Sequence, residues 1–314
     1  MKNLLVLLAM LAAMSANAQW EPDVRLTYAS GGSYTSSNNT WCIAANGNVV
    51  HTIWYDDRQG FPNYEIYYKR STDGGVNWGT DTRLTNSSAF SVSSSIAVSG
   101  SNVHVVWNEE RDGNKEIYYK RSADGGINWG TDTRLTNDTA ASELPSIAVS
   151  GSNVHIAWED TRDGNYEIYY KRSTDGGINW GADTRLTNNS AESEFPYIAV
   201  SGSFVHVVWR DNRDSNSEIY YKCSTDSGIS WGVDTRLTNN TGLSLSPSIA
   251  VSGSNVHIVW EDTRDGNYEI YYKRSTDSGV NWGTDTRLTY NTENSMAPSI
   301  VVSGTHVHFV WYDA

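Results

Sequence analysis

The sequence predicts an all-β fold: a six-bladed β-propeller of four-stranded antiparallel blades, its last blade incomplete and closed by the N-terminal strand. Three observations lead there. A strand-like run ends in His-x-x-Trp six times, at Trp54, Trp107, Trp158, Trp209, Trp260 and Trp311, with spacings of 53 residues once and 51 thereafter. Five of these runs are followed by a Ser-x-Asp-x-Gly-x-x-Trp turn: STDGGVNW (71–78), SADGGINW (122–129), STDGGINW (173–180), STDSGISW (224–231) and STDSGVNW (275–282). Beyond residue 18 no segment carries a helical period. A period near 50 marks a unit too small to bury its own apolar face, which must stack on copies of itself.

The elements follow in order. Residues 1–18 combine Lys2, an apolar run and a small-residue end at Ala16-Asn17-Ala18. That is the pattern of a secretory signal cleaved before Gln19, too short to span a membrane. Residues 19–314 then form the propeller, exported or displayed at a cell surface, without a membrane span and monomeric. Residues 145–187 serve as the type repeat. SIAVSG (146–151), NVHIAW (153–158), EIYYKR (167–172) and TRLT (184–187) are short runs rich in β-branched and aromatic residues, separated by Ser-Gly-Ser-Asn and Asp-Gly-Gly-Ile-Asn turns. Four such strands make one blade.

Trp20 stands five residues before Arg25, as Trp78 does before Arg83. Residues 24–27 are therefore expected to supply the fourth strand of the sixth blade. After Asp313-Ala314 an 18-residue stretch equivalent to 162–179 is wanting before the position Trp20 would occupy, and the chain is read as a fragment. Cys42 and Cys223 lie three repeats apart, on opposite sides of such a ring, and are expected to be free thiols.

The Ser-x-Asp-x-Gly-x-x-Trp turn resembles the Asp box, or BNR repeat, of sialidase-like propellers, where it joins the third and fourth strands of a blade. Five copies in register cover essentially the whole chain after residue 18. The turn chemistry supports a structural role for Asp73, Asp124, Asp175, Asp226 and Asp277. An Asp side chain in a turn accepts backbone N–H bonds, Gly supplies a permissive angle, and Trp packs between blades.

In a propeller the loops from second to third strand lie on the face opposite those turns. Two residues beyond each strand tryptophan stand Asp56, Glu109, Asp160, Asp211 and Asp262, and four beyond it Arg58, Arg111, Arg162, Arg213 and Arg264. These ten are the candidate ligand-binding residues. Two readings stand: each Arg pairs with carboxylates of its own or the adjacent blade, or several arginines hold an anionic ligand, as the resemblance to sialidases implies. A calcium site at Asp160, Asp163, Asn165 and Glu167 is a weaker reading; otherwise no metal or cofactor is expected. The six histidines before the strand tryptophans (His51, His104, His155, His206, His257 and His308) sit roughly 10 Å apart on second strands, too far to share a metal. They are expected to pack between blades with a satisfied hydrogen bond.

A net charge of −13 excludes a nucleic-acid partner, which needs a basic face. Catalysis needs asymmetry, yet residues 150–188 and 252–290 differ at only five positions. The Arg-Ile-Pro motif that the resemblance would place near the N-terminus is absent, Arg25 standing in Val-Arg-Leu-Thr instead. No catalytic residue is assigned, and the recurring tyrosine pairs are read as packing. The function expected is glycan or surface-ligand binding through repeated rim loops, without chemistry. The resemblance implies the alternative, an exo-sialidase or related glycoside hydrolase; a third reading is a spacer in a larger surface protein. The pattern breaks most at repeat one, with Phe61, Pro62 and Tyr64, and any distinct pocket is expected there.

Overall fold

The computed structural model describes residues 24–36, 42–60 and 63–314; the expected signal segment and Trp20, Phe61 and Pro62 lie outside them. All regular structure among these residues is β, in six separate sheets. The third sheet is typical, with strands Ser142–Ser150, Asn153–Asp160, Glu167–Ser173 and Thr184–Arg185 in sequence order, each antiparallel to the next. Sheets two, four and five repeat it, the first has a fifth short strand, and the sixth has two strands, Ser295–Ser303 and His306–Asp313. Inner strands of all six converge on one channel of about 200 Å³, lined by Ala44, Ala97, Ile147, Ile198, Ile249 and Val302 among others.

The core lies between sheets. Strand Asn102–Glu109 shows why: its side chains alternate, Val103, Val105 and Trp107 packing with Ile53 and Ile66 of sheet one, while Val106 packs with Ile147 and Trp158 of sheet three. A strand buried on both faces reads as a nearly continuous apolar run.

The fourth strand is shorter than TRLT suggested because a side chain takes over. In sheet three Tyr169 and Tyr170 pair with Arg185 and Thr184, and the Ile168 N–H then donates to the Thr187 hydroxyl at 2.8 Å. The inner strand is longer than expected, starting at Ser142, and carries a bulge where the register shifts between Glu143 and Ser146. At the equivalent bulges Ser93, Leu144, Phe195, Ser246 and Ala297 all take positive φ, near 50°. Non-glycine residues hold that region only when the surroundings over-determine it.

One expectation fails. Residues 24–29 form no strand and do not pair with the sixth sheet. A fourth strand bonds to a third, and the sixth sheet has no third among the described residues. The segment docks on the first sheet, where the Leu26 carbonyl accepts the Lys69 ammonium at 2.5 Å. Lys120, Lys171, Lys222 and Lys273 make the same bond to Leu84, Leu135, Leu186 and Leu237 of the preceding sheet. No helix among the described residues is long and apolar enough to cross a membrane.

Candidate functional site

The Asp-box turns lie at one end of the strands. In 173–180, Asp175 Oδ1 accepts the Ser173 hydroxyl at 2.8 Å and the Asn179 N–H at 2.9 Å, and Oδ2 accepts the Asn179 amide at 2.7 Å. Those bonds, the Asn179 backbone N–H first, hold the Asp175 carboxyl at about 2, as equivalent bonds do for Asp73, Asp124 and Asp277; Asp226 is lowered the same way, its Ser230 hydroxyl bond first. Trp129, Trp180, Trp231 and Trp282 meet Tyr68, Tyr119, Tyr170 and Tyr221 of the preceding sheet edge-on, with ring centroids 4.9–5.0 Å apart. Gly177 shows what the close fit demands: its φ is +82°, and a Cβ there would stand 1.9 Å from the Tyr119 hydroxyl.

The expected belt occupies the opposite rim, and each of its arginines is engaged by carboxylates. Arg162 donates through Nε and Nη2 to the two oxygens of Asp160 at 2.8 and 2.6 Å and through Nη1 to Asp183 at 2.9 Å. It also lies 2.9 Å from Asp138 of the link between sheets two and three. Its guanidinium sits over the Tyr169 ring, 4.3 Å from the centroid. Arg58, Arg213 and Arg264 repeat this with Asp56, Asp211 and Asp262, and Arg111 with Glu109. Burial alone would raise the Asp160 carboxyl, but bonds from Arg162, Trp158 and Ser142 hold it below its ordinary value. The four residues considered for calcium are also engaged, although Glu167 Oε2 is buried with no hydrogen-bond partner. Asp163 accepts from Tyr169 and lies 3.2 Å from Arg185, Glu167 accepts Arg185 at 2.8 Å, and the Asn165 amide donates to the Ala191 carbonyl at 2.6 Å.

Five of the six histidines bond a tyrosine of their own sheet; His308, expected to pack likewise, is exposed and meets no such tyrosine among the described residues. His51, His104, His155, His206 and His257 place Nδ1 2.7 Å from the hydroxyls of Tyr68, Tyr119, Tyr170, Tyr221 and Tyr272. Burial lowers the first four to about 4. Cys42 and Cys223 are free, and burial pushes the Cys42 thiol up to about 11.

Asymmetry appears one residue short of the belt, where the two inner strands of each sheet carry a facing pair. The pairs are Tyr34–Tyr55, Val92–Asn108, Glu143–Glu159, Glu194–Arg210, Leu245–Glu261 and Met296–Tyr312. No two are alike. In sheet three two glutamates oppose each other, which costs stability unless one is neutralised. Glu143 pairs with Lys115 of sheet two at 2.5 Å. Glu159 is buried and accepts the Phe195 N–H of sheet four at 2.9 Å. Burial first, then the neighbouring Glu194 and Glu143, raise its carboxyl to about 8, so at neutral pH it is mostly protonated. Glu194 binds Arg210, whose guanidinium lies 4.7 Å over the Phe195 ring. Glu261 accepts the Ala297 N–H at 2.7 Å, the same inter-sheet tie two sheets on.

The break expected at repeat one is an aromatic platform at the junction of sheets one and two. Tyr34 stacks on Tyr55 at 5.3 Å, Tyr64 stands edge-on to both at 6.0 and 5.6 Å, and Phe90 closes the group 5.9 Å from Tyr64. Tyr34 is 45% exposed. Beside it in sheet two Asn108 is buried, its side-chain oxygen without a hydrogen-bond partner. The sequence marked Tyr64 by its insertion; the facing pairs became visible only with the strand register.

The chain matches no protein-family model and no curated protein. Solved structures do match. A Hadza microbial sialidase, Hz136, aligns with TM-score 0.60 and 14% identity over 87% of this chain and 60% of that one. The endosialidase of phage phi92 aligns with TM-score 0.62 and 11% identity over 90% and 64%. An α-L-arabinofuranosidase of Fusarium graminearum, arb93a, aligns with TM-score 0.57 and 15% identity over 80% of each chain. The chain thus spans about three fifths of the length of the two sialidases, and at these identities the likeness is one of fold.

Proposed function

We propose, for a chain with the sialidase-like propeller fold, that it binds glycans on the rim that carries the inter-sheet links, over the Tyr34–Tyr55–Tyr64–Phe90 platform and without turnover. The platform is the observation that carries this reading. Part-exposed aromatic rings with hydroxyl edges offer a sugar an apolar face and hydrogen bonds together, and this junction differs from every other on the ring. The solved structures of this shape bear the names of enzymes acting on sialosides and arabinofuranosides. The belt arginines support an uncharged contact: each already has carboxylate partners, so an anionic group would have to displace an ion pair. A glycan array probed with the full chain and with Tyr34→Ala tests the proposal. Binding that falls at least tenfold in the variant supports it, and equal binding by both proteins places the ligand elsewhere.

Glu159 favours a second reading. A carboxyl mostly protonated at neutral pH, facing a second carboxyl group, Glu143, that is paired with Lys115, resembles the two-carboxyl arrangement that glycosidic bond cleavage requires. Against it, Glu261 makes the same bond to the next sheet, so this geometry serves as an inter-sheet tie elsewhere in the ring. Turnover of a fluorogenic sialoside or arabinofuranoside that disappears in Glu159→Gln would establish the hydrolase.

A further inference from the structure

The inner strand of each sheet pairs with the second strand on one side only and turns its other edge to the central axis. The repeat shows how that edge is ordinarily kept. Ser95, Ser146 and Ser248 stand at one level around the axis. Their hydroxyl oxygens accept backbone N–H groups of the adjoining inner strands, from Ile147, Ile198 and Ile300 at 3.4, 3.2 and 3.4 Å. At the same level Tyr197 takes the place in sheet four and Cys42 in sheet one. A phenol oxygen, at the far end of its ring, cannot make the serine's bond.

Tyr197 is 2% exposed, lines the central channel of about 200 Å³, and its hydroxyl has no hydrogen-bond partner among the described residues. A phenylalanine would fill the same space with nothing left to satisfy, whereas a buried hydroxyl without a bond lowers stability. Above it along the channel lie Ala199 and Ala250, buried, and then Val98, Val149, Val200, Val251 and Val302, half-buried. The floor is therefore at Tyr197 and the mouth at the valines. The mouth opens on the Asp-box face, because the turn after each valine bonds the Asp box of its own sheet, as the Gly176 N–H does to the Ser152 carbonyl at 2.8 Å. The Tyr34–Tyr55 platform lies at the other end of the strands. None of the described lining residues is charged. Burial first, then nearby Cys42 and Glu261, push the Tyr197 phenol well above its ordinary value, so it remains a donor.

We propose that this channel is a binding site for a small neutral organic molecule, its apolar body lying among the alanines and valines and one acceptor oxygen taking the hydrogen bond of the Tyr197 hydroxyl. An apolar cavity of roughly 150 Å³ takes up benzene, so a channel of about 200 Å³ holds a ring with a short substituent. The hydroxyl at the floor fixes the orientation, with a carbonyl or ether oxygen inward and hydrocarbon toward the mouth. Ions are disfavoured, since an uncharged wall would leave them unpaired away from water. This site is separate from the rim platform and opens on the opposite face.

The test titrates the full chain with acetophenone and with isopropylbenzene, a hydrocarbon of similar shape, while the methyl resonances of Ala199 and Ala250 are followed by NMR. Both probes should bind one to one and shift those methyls. Tyr197→Phe should weaken acetophenone roughly fivefold, the worth of one hydrogen bond, and leave isopropylbenzene unchanged. The replacement removes only an unbonded hydroxyl, so the variant should melt no lower than the parent. Tyr34→Ala, on the other rim, should bind both probes as the parent does, which separates this outcome from that of the glycan site. No saturable shift at the alanine methyls, or an acetophenone affinity that Tyr197→Phe leaves unchanged, overturns the proposal. So does a lower Tm for that variant, which would mean that the hydroxyl is already bonded inside the protein.

Discussion

The Phe195 N–H donates to Glu159 across 2.9 Å and thereby ties the bulge of sheet four to the second strand of sheet three. The carboxyl that accepts this bond is held protonated by burial up to about pH 8. Its folded-state value lies above its unfolded one, so its contribution is complete below the unfolded value and is lost as pH rises through 8.

Glu159→Gln keeps the acceptor and removes the titration. The variant should match the parent near pH 5 and exceed it at pH 9 by on the order of 2 kcal/mol, read as a higher Tm. Equal melting of the two proteins at pH 9 would show that Glu159 ionises without cost.

The histidines run the other way. His51, His104, His155 and His206 are held near 4, below their unfolded value, so their stabilisation is complete above about pH 6.5 and is lost as pH falls toward 4. Each contributes on the order of 1 kcal/mol per pH unit across that window, and four outweigh the single opposing glutamate. Denaturant titrations between pH 7 and 4.5 should show a steep fall that His155→Gln makes shallower. A flat profile would contradict it.

Lys171→Met removes the bond to the Leu135 carbonyl and the ion pair with Asp183 at 2.8 Å, leaving a buried acceptor unpaired. The expected cost is about 2 kcal/mol. Lys69→Met should cost less, because its carbonyl partner, Leu26, belongs to a docked segment and not to a sheet. Chemical denaturation of both variants checks the ranking.

Ala297 sits at a bulge with φ of 52° and adds little packing. Ala297→Gly should relieve roughly 1 kcal/mol of backbone strain and raise Tm by a few degrees. Leu144→Gly, at φ 49°, removes a larger side chain and should gain less.

Much of this was legible in the sequence because the repeat tests every reading several times. In the five sheets that have one, the third strand begins at glutamate as the pattern demanded, whereas the second strand runs two residues past the tryptophan at which the sequence reading ended it. The bulge was not legible. Pro145, Pro196, Pro247 and Pro298 follow the positive-φ residue in four of its five copies, but proline reads equally well as a strand boundary. The Glu143–Glu159 pair was hidden for a related reason: it depends on a register that shifts by one residue at that bulge. The docking of Leu26 on Lys69 was beyond sequence reasoning, since the lysine looked like an ordinary solvated strand residue.

The lysine-to-carbonyl bonds join residues 36 apart in every sheet where they recur. Closing each joint therefore carries the same loop-closure entropy wherever on the ring it forms. The sequence separation of these contacts is fixed by the repeat and does not grow with the number of sheets. Such a chain can nucleate at any neighbouring pair and zip outward in either direction. Its folding rate is then set by one joint, and lengthening the array by a further copy should leave that rate unchanged.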